Sequence, residues 1–237
     1  NDGMIIKYST EGECEWAKGI GGSNYDQINA VAETSDGGII AGGYFKSSSI
    51  DLDNGVSRSN KSRSISYSDG MIIKYNSSGE CEWAKGIGGD DYDYIESVAE
   101  TSDGGIIAGV YFQSSSIELE NGITLINKNY GYDYGDGMII KYSSAGEVEW
   151  AKGIGGSLDD RIQSVAETSD GGILAGGKFE SSSIDLGNGV SLEKELCRDG
   201  MIRKYSAEGE CEWAKEIGGS DYDGINSVAE TSDGGII

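Results

Sequence analysis

Histidine is missing from all 237 residues, which removes the commonest general base and the commonest zinc ligand. Ser-His-Asp and Cys-His nucleophile systems are therefore excluded within this chain. No Cys-x-x-Cys spacing occurs, so a zinc site lacks its usual thiolate pair too. No run of about eighteen apolar residues is present, so no segment has the length of a membrane-spanning helix. Cations are scarce: 18 Lys and Arg stand against 41 Asp and Glu, and the net charge of -23 repels nucleic acid and anionic membrane surfaces. The surplus acid reads first as a solubility device for an apolar repeat. No signal peptide is visible. The chain opens on Asn1-Asp2-Gly3 and stops at Ile237 inside a repeated phrase, which reads as an excised piece of a longer protein.

What is present is repetition. Trp16, Trp83, Trp150 and Trp213 are the only tryptophans, each followed by Ala-Lys and soon by Ile-Gly-Gly, as in GECEWAKGIGG at 12–22. The copies run approximately 2–68, 69–135, 136–198 and 199–237, the last one truncated. Copies of this kind stack into a single body, here 1–237, because one unit alone cannot bury its apolar face.

Each copy opens with DGMIIKY (2–8, 69–75, 136–142) or DGMIRKY (199–205), too short for a good helix and rich in strand formers. Arg203 replaces the Ile of the other copies and suggests a less buried terminal unit. A polar turn leads into ECEWAK, whose period of two puts Cys14, Trp16 and Lys18 on one face and Glu13, Glu15 and Ala17 on the other. The third phrase, 25–38 in the first copy, offers helix signals: Asp26 as an N-cap and, in the second copy, Asp93 with Glu96. Its shortness between Gly-rich stops favours a strand. SDGG at 35–38, 102–105, 169–172 and 232–235 predicts a hairpin into a small-residue strand, IIAGGYF, suited to crowded backbone near a central axis. SSSIDLDNGVS at 47–57 and its two counterparts predict a small extra hairpin with a type I′ Asn-Gly turn. The connectors then diverge: Ser-rich and basic at 57–68, tyrosine-rich at 127–135, short at 193–198. Cys14, Cys81 and Cys211 share a repeat position with Val148, the mark of a small buried apolar site. Together with the unmatched Cys197 they are expected to be free thiols.

Four strands, a connector and the same again predict an all-β fold, a β-propeller-type array of four copies of a four-stranded antiparallel unit with an extra hairpin. A β-solenoid is the alternative. The order DGMIIKY, G-E-C-E-W, IGG, Asp, SVAETSDGG, IIAGGYF and a Ser-rich connector resembles the bacterial β-propeller repeats called SBBP. In those repeats a D-A-F-type strand, a G-G-S-x-x-D turn and a D-x-x-G-N hairpin recur in similar order. The resemblance covers all four copies and implies a bacterial surface or secreted protein. The unit here is longer than a usual blade, and four blades are fewer than a closed ring implies. The chain is therefore expected to be part of a ring of about six to eight blades; the alternatives are that the four copies close as a small propeller or that two chains complete a ring together, and further copies of the repeat or a second chain are the expected partners.

For chemistry, Asp91 with Asp93, Asp159 with Asp160, and Asp221 with Asp223 offer paired carboxylates, as glycoside hydrolysis requires. The same acidic turn recurs in every copy, whereas a catalytic pair is normally a single site of unlike residues, so no enzyme is expected. Asp26, Asp93, Asp160 and Asp223 read as caps on backbone N–H groups in the turn. A Ca²⁺ ligand in each copy is the sharper alternative to no cofactor at all. Tyr130, Tyr132, Asp133 and Tyr134 form the candidate ligand-binding set, aromatic faces with a carboxylate on a divergent loop. The function these features imply is a non-catalytic interaction or display module of an extracellular or cell-surface protein, binding protein or carbohydrate through its loops. A structural spacer is the competing reading and a glycan-active enzyme the third.

Overall fold

The computed structural model describes residues 1–62, 66–129, 134–194 and 198–237. In chain order the first strands are β1 (Gly3–Tyr8), β2 (Cys14–Ile20), β3 (Asp26–Glu33), β4 (Ile39–Phe45), β5 (Ser49–Asp51) and β6 (Ser57–Ser59). The second copy supplies β7 (Asp69–Tyr75), β8 (Cys81–Ile87), β9 (Asp93–Glu100), β10 (Ile106–Phe112), β11 (Ser116–Glu118) and β12 (Thr124–Ile126). The third supplies β13 (Asp136–Tyr142), β14 (Val148–Ile154), β15 (Asp160–Glu167), β16 (Ile173–Phe179), β17 (Ser183–Asp185) and β18 (Ser191–Glu193). Then come β19 (Asp199–Tyr205) and β20 (Cys211–Ile217). No α-helix occurs among the described residues, and the third phrase is a strand in the first three copies.

Each complete sheet is an antiparallel meander that straddles a copy boundary. The orders are β3-β4-β7-β8, β9-β10-β13-β14 and β15-β16-β19-β20, so two strands of one copy pair with two of the next. A four-stranded sheet thus does not coincide with a copy that begins at DGM. The pairing across the boundary is carried by β4 against β7, with Ile39 opposite Tyr75 and Phe45 opposite Asp69. Two half-sheets remain: β1–β2 at the head, and residues 223–237 at the tail, where Glu230 bridges to Ile236.

The sheets stack face to face, which explains the sequence of β7 and β13. Both faces are covered, so Met-Ile-Ile runs apolar without alternation and every residue of these strands is buried. Met71, Ile73 and Tyr75 look back toward the head hairpin and meet Ile5 and Ile20. Ile72 looks forward and joins Ile95, Met138 and Tyr142 of the second sheet. The small extra hairpins wedge between the outer strands of neighbouring sheets, seating Ile50 and Leu52 beside Tyr75 and Cys81. In the first of them Asn54 (φ 62°) and Gly55 (φ 74°) form the primed turn. The crowding anticipated at Ala-Gly-Gly is real: a Cβ at Gly42 would lie 2.5 Å from Ile95 of the next sheet.

Three expectations fail. The ladder slips between Lys7 and Tyr8, pairing Lys7 with Trp16 and Tyr8 with Cys14, and the same bulge recurs in β8, β14 and β20. The extra residue puts Cys and Trp on opposite faces, where strict alternation would put them together. In the second copy Cys81 packs backward with Tyr75, while Trp83 packs forward against Tyr142. Arg203, read as the mark of a less buried unit, is fully buried. Its strand lies inside the third sheet between β16 and β20, opposite Ala175 and Ala214. Its Nε and Nη1 find no hydrogen-bond partner there. Cys14, Cys81 and Cys211 are free; Cys81 and Cys211 are buried as the shared repeat position implied, whereas Cys14, in the head hairpin, is exposed and departs from that expectation. Cys197 lies outside the described residues.

Candidate functional site

Copies of a repeat share whatever stacking requires, so positions that differ inside otherwise similar phrases are free to carry recognition. In the third phrase these include Gln27, Tyr94 and Arg161; in the fourth, Tyr44, Tyr111 and Lys178. The three sheets bring them together. Tyr94 stacks on Tyr111 with ring centroids 6.2 Å apart and planes 3° from parallel. Tyr44 meets Tyr94 edge-on at 4.9 Å, and Tyr92 extends the row 6.1 Å beyond Tyr94. Tyr67, from the end of the first connector, packs edge-on against Tyr92 at 5.0 Å. Lys46 lies 5.0 Å over the Tyr92 ring and Arg161 lies 3.9 Å over Tyr111. The cations face the negative ring surfaces, which fixes their positions. Tyr111 is buried, whereas Tyr44, Tyr67, Tyr92 and Tyr94 are half-buried.

Asp159 anchors one end of this row. It accepts hydrogen bonds from Arg161 Nε at 2.8 Å, from the Tyr111 hydroxyl, and from Gly135 N at 3.3 Å. Burial pushes its carboxyl up, but the Arg161 and Tyr111 hydrogen bonds outweigh that and leave it below the ordinary range. Burial raises Glu96, partly offset by Arg161 and Lys178. Burial also lifts the Tyr94 hydroxyl to about 12. Tyr94 and Tyr111 therefore stay neutral at physiological pH and act as hydrogen-bonding groups.

Of the residues singled out from sequence, Tyr130, Tyr132 and Asp133 lie outside the described residues. Tyr134 is exposed, its carbonyl held by Asn127 Nδ2 at 3.1 Å. It adjoins the tyrosine row through Gly135, where an added Cβ would fall 2.5 Å from Tyr111 Cζ. Tyr44, Tyr94, Tyr111 and Arg161 were not among the residues singled out from sequence. The signal was their variation within constant phrases.

The acidic turn is occupied by backbone. Asp26 accepts from Gly22 N at 2.9 Å, Lys46 N at 3.0 Å and the Ser47 hydroxyl at 2.6 Å. Asp93 and Asp160 repeat the pattern with Ser114 and Ser181. This is the capping role, joining the Gly-Gly turn to the end of the fourth phrase. Asp159 and Asp160 have different partners and do not converge on one point. Among the described residues no three His, Cys, Asp or Glu side chains group as metal ligands. A cleft of about 310 Å³ between the first two extra hairpins is lined by Arg58, Lys61, Lys85, Glu118 and Glu120, with Lys85 paired to Glu120.

No family model matches the chain, and no curated protein does. Among solved structures it is similar to a protein of unknown function from Bacteroides caccae, at 11% identity and a TM-score of 0.49. That match covers 98% of this chain and 63% of the other. Sqt1 from Chaetomium thermophilum matches at 12% identity and a TM-score of 0.31, over 85% of this chain and 63% of that one. This chain therefore spans less than two thirds of either. Both scores fall short of a shared fold, and identities this low transfer no function.

Proposed function

We propose that the chain is a β-propeller-type repeat of the kind the SBBP resemblance implies, working as a non-catalytic recognition module at a bacterial cell surface. Its ligand is a glycan or an extended peptide laid along the tyrosine row. The observation that carries this reading is the convergence, from three stacked sheets, of half-exposed Tyr44, Tyr94 and Arg161 over buried Tyr111. The half-exposed Tyr44, Tyr92 and Tyr94 present apolar faces to sugar C–H groups or peptide side chains at low entropy cost, and their hydroxyls with Arg161 supply hydrogen bonds, while buried Tyr111 backs the row. Asp159 acts here as a positioning group for Arg161 and not as an acid.

The test is binding on a glycan array and a peptide library by the parent chain and by Tyr44→Ser and Tyr94→Ser. Loss of about tenfold or more per substitution is expected for hot-spot aromatics. Binding unchanged in both variants would put the recognition surface in the connectors instead.

A further inference from the structure

We propose that the ligand of the tyrosine row is an acidic glycan, whose carboxylate or sulfate group is held by Arg161, Lys178 and Arg198 where the row ends on the third sheet. This rests on the reading of the row as a recognition surface and adds the charge of what it recognises.

The cross-strand pair that builds the row changes character from sheet to sheet. Gln27 stands directly opposite Tyr44 in the first sheet, Tyr94 opposite Tyr111 in the second and Arg161 opposite Lys178 in the third. A third cation joins from the end of the last connector. Arg198 takes the place of Ser68 and Gly135, immediately before the Asp-Gly that opens the next strand. Each of the three replaces an uncharged residue of the other copies, in a chain with only 18 Lys and Arg against 41 acids. Like charges directly opposite one another destabilise a sheet, and an anion bound between them removes that cost.

These charges are largely unspent. Arg161 turns its Nε to Asp159, and that carboxylate is also filled by the Tyr111 hydroxyl and Gly135 N. Half-buried Lys178 makes no hydrogen bond or ion pair among the described residues, and Arg198 Nε is buried without a hydrogen-bond partner. Burial and the Arg161 and Arg198 charges hold the Lys178 ammonium below its ordinary range, against the pull of Asp159 and Glu180. Glu96 and Glu180 lie within electrostatic reach, yet neither forms an ion pair with the three cations among the described residues.

The cluster is also open. Arg161 covers Tyr111 at 3.9 Å from the neighbouring sheet, whereas its counterpart beside Lys178 is Gly224, which has no side chain to close the site. A Cβ there would lie 3.7 Å from Lys178 Cβ. On the other side the Arg198 guanidinium lies 5.3 Å over the exposed Tyr222 ring, which holds it in place. A guanidinium and an ammonium together match the oxygens of a carboxylate or sulfate. The surroundings suit sugar. Tyr44 and Tyr94 offer half-exposed faces, and Gln27 and Gln163 each spend one amide N–H on Asn29 and Asn226 and keep the other for hydroxyls.

Titration calorimetry on the 1–237 chain tests this with hexagalacturonate beside its methyl ester, sulfated dextran oligomers beside unsulfated ones, and hexaglutamate. At least one charged glycan is expected to bind about tenfold or more tightly than its neutral parent. Lys178→Tyr and Arg198→Ser, which install residues the other copies carry, should each erase most of that preference and leave binding of the neutral form unchanged. Without ligand, Lys178→Tyr should melt no lower than the parent, because it removes the like-charge pair. Equal binding of charged and neutral forms overturns the proposal, as does a preference that survives both variants, binding of hexaglutamate alone, no binding at all, or a lowered melting temperature for Lys178→Tyr. The two readings fail separately. If Tyr44→Ser and Tyr94→Ser weaken charged and neutral glycans alike but charge makes no difference, the row stands and the anion site falls. If those variants change nothing while Lys178→Tyr abolishes binding of the charged glycan, the anion site stands and the row falls.

Discussion

Residues 2–8 and 69–75 are the same seven letters, DGMIIKY, yet Met4 and Tyr8 lie open while Met71 and Tyr75 are sealed. The word determines a strand in both places. Whether its back face is buried is determined by the preceding sheet and by the extra hairpin wedged beside it, which β7 has and β1 lacks. Burial in a stacked repeat is thus a property of the neighbour, and the two strands are an internal control for one another.

The largest expected break in this comparison is Met71→Ala, which removes a fully buried side chain from a filled interface and should cost about 3 kcal/mol. Met4→Ala in the same letters should cost less than about 0.5 kcal/mol. Denaturant melts of the two variants in dilute protein measure the difference. Equal costs would mean that the head face of the single chain is covered in solution.

Next in size is Arg203→Ile. It restores the residue that β7 and β13 carry as Ile73 and Ile140 and removes a buried guanidinium with two unpartnered nitrogens. A stabilisation of about 2 kcal/mol is expected, because a desolvated unpaired charge costs more than an aliphatic side chain in the same place. A lowered melting temperature would show that the cation has a partner.

A smaller effect rests on Asp136, which is buried where its counterpart Asp2 is exposed. Burial lifts the Asp136 carboxyl to about 7, against the hydrogen bond from Lys128 N. A raised folded-state pKa means that the native chain holds the proton more tightly than the unfolded one. Its contribution is therefore fullest at low pH and is lost as pH climbs from about 4 toward 7. Asp136→Asn should flatten that part of the stability profile, and stability measured across this range checks it.

The smallest perturbation is chemical labelling. Cys14 should react with a thiol reagent in the native chain. Cys81, buried and with its thiol pushed up to about 11 by that burial, should react only on unfolding. Peptide mapping of the label distinguishes them.

Much of the fold was legible because strand, turn and small-residue phrases each carry a local signal: DGMIIKY, SDGG, Ala-Gly-Gly, Asn-Gly. Two things were not. The bulge at Glu15 is set by closure of the polar turn, where Ser9 N bonds to Glu13 O, and no residue type announces it. The grouping of strands into sheets was hidden because β2 could as well have paired with β3 as β4 with β7, in the same words. The choice falls to Asp26, which ties the Gly-Gly turn to Lys46 and Ser47 and so carries the chain into the next layer. The tyrosine row was visible only as disagreement among copies, at 27, 94 and 161 and at 44, 111 and 178. Nothing in a single copy distinguishes such a site from an ordinary strand.

The stagger between copies and sheets bears on how the chain is made. The first sheet runs from Asp26 to Ile87, so it closes only after the opening strands of the second copy, β7 and β8, have left the ribosome. Synthesis proceeds from the N-terminus, and at each stage the growing end carries a half-finished sheet whose edge waits for the next copy. The polar Ser-rich connector is the stretch that emerges during that wait, so the nascent chain spends it adding soluble residues beside an open strand edge.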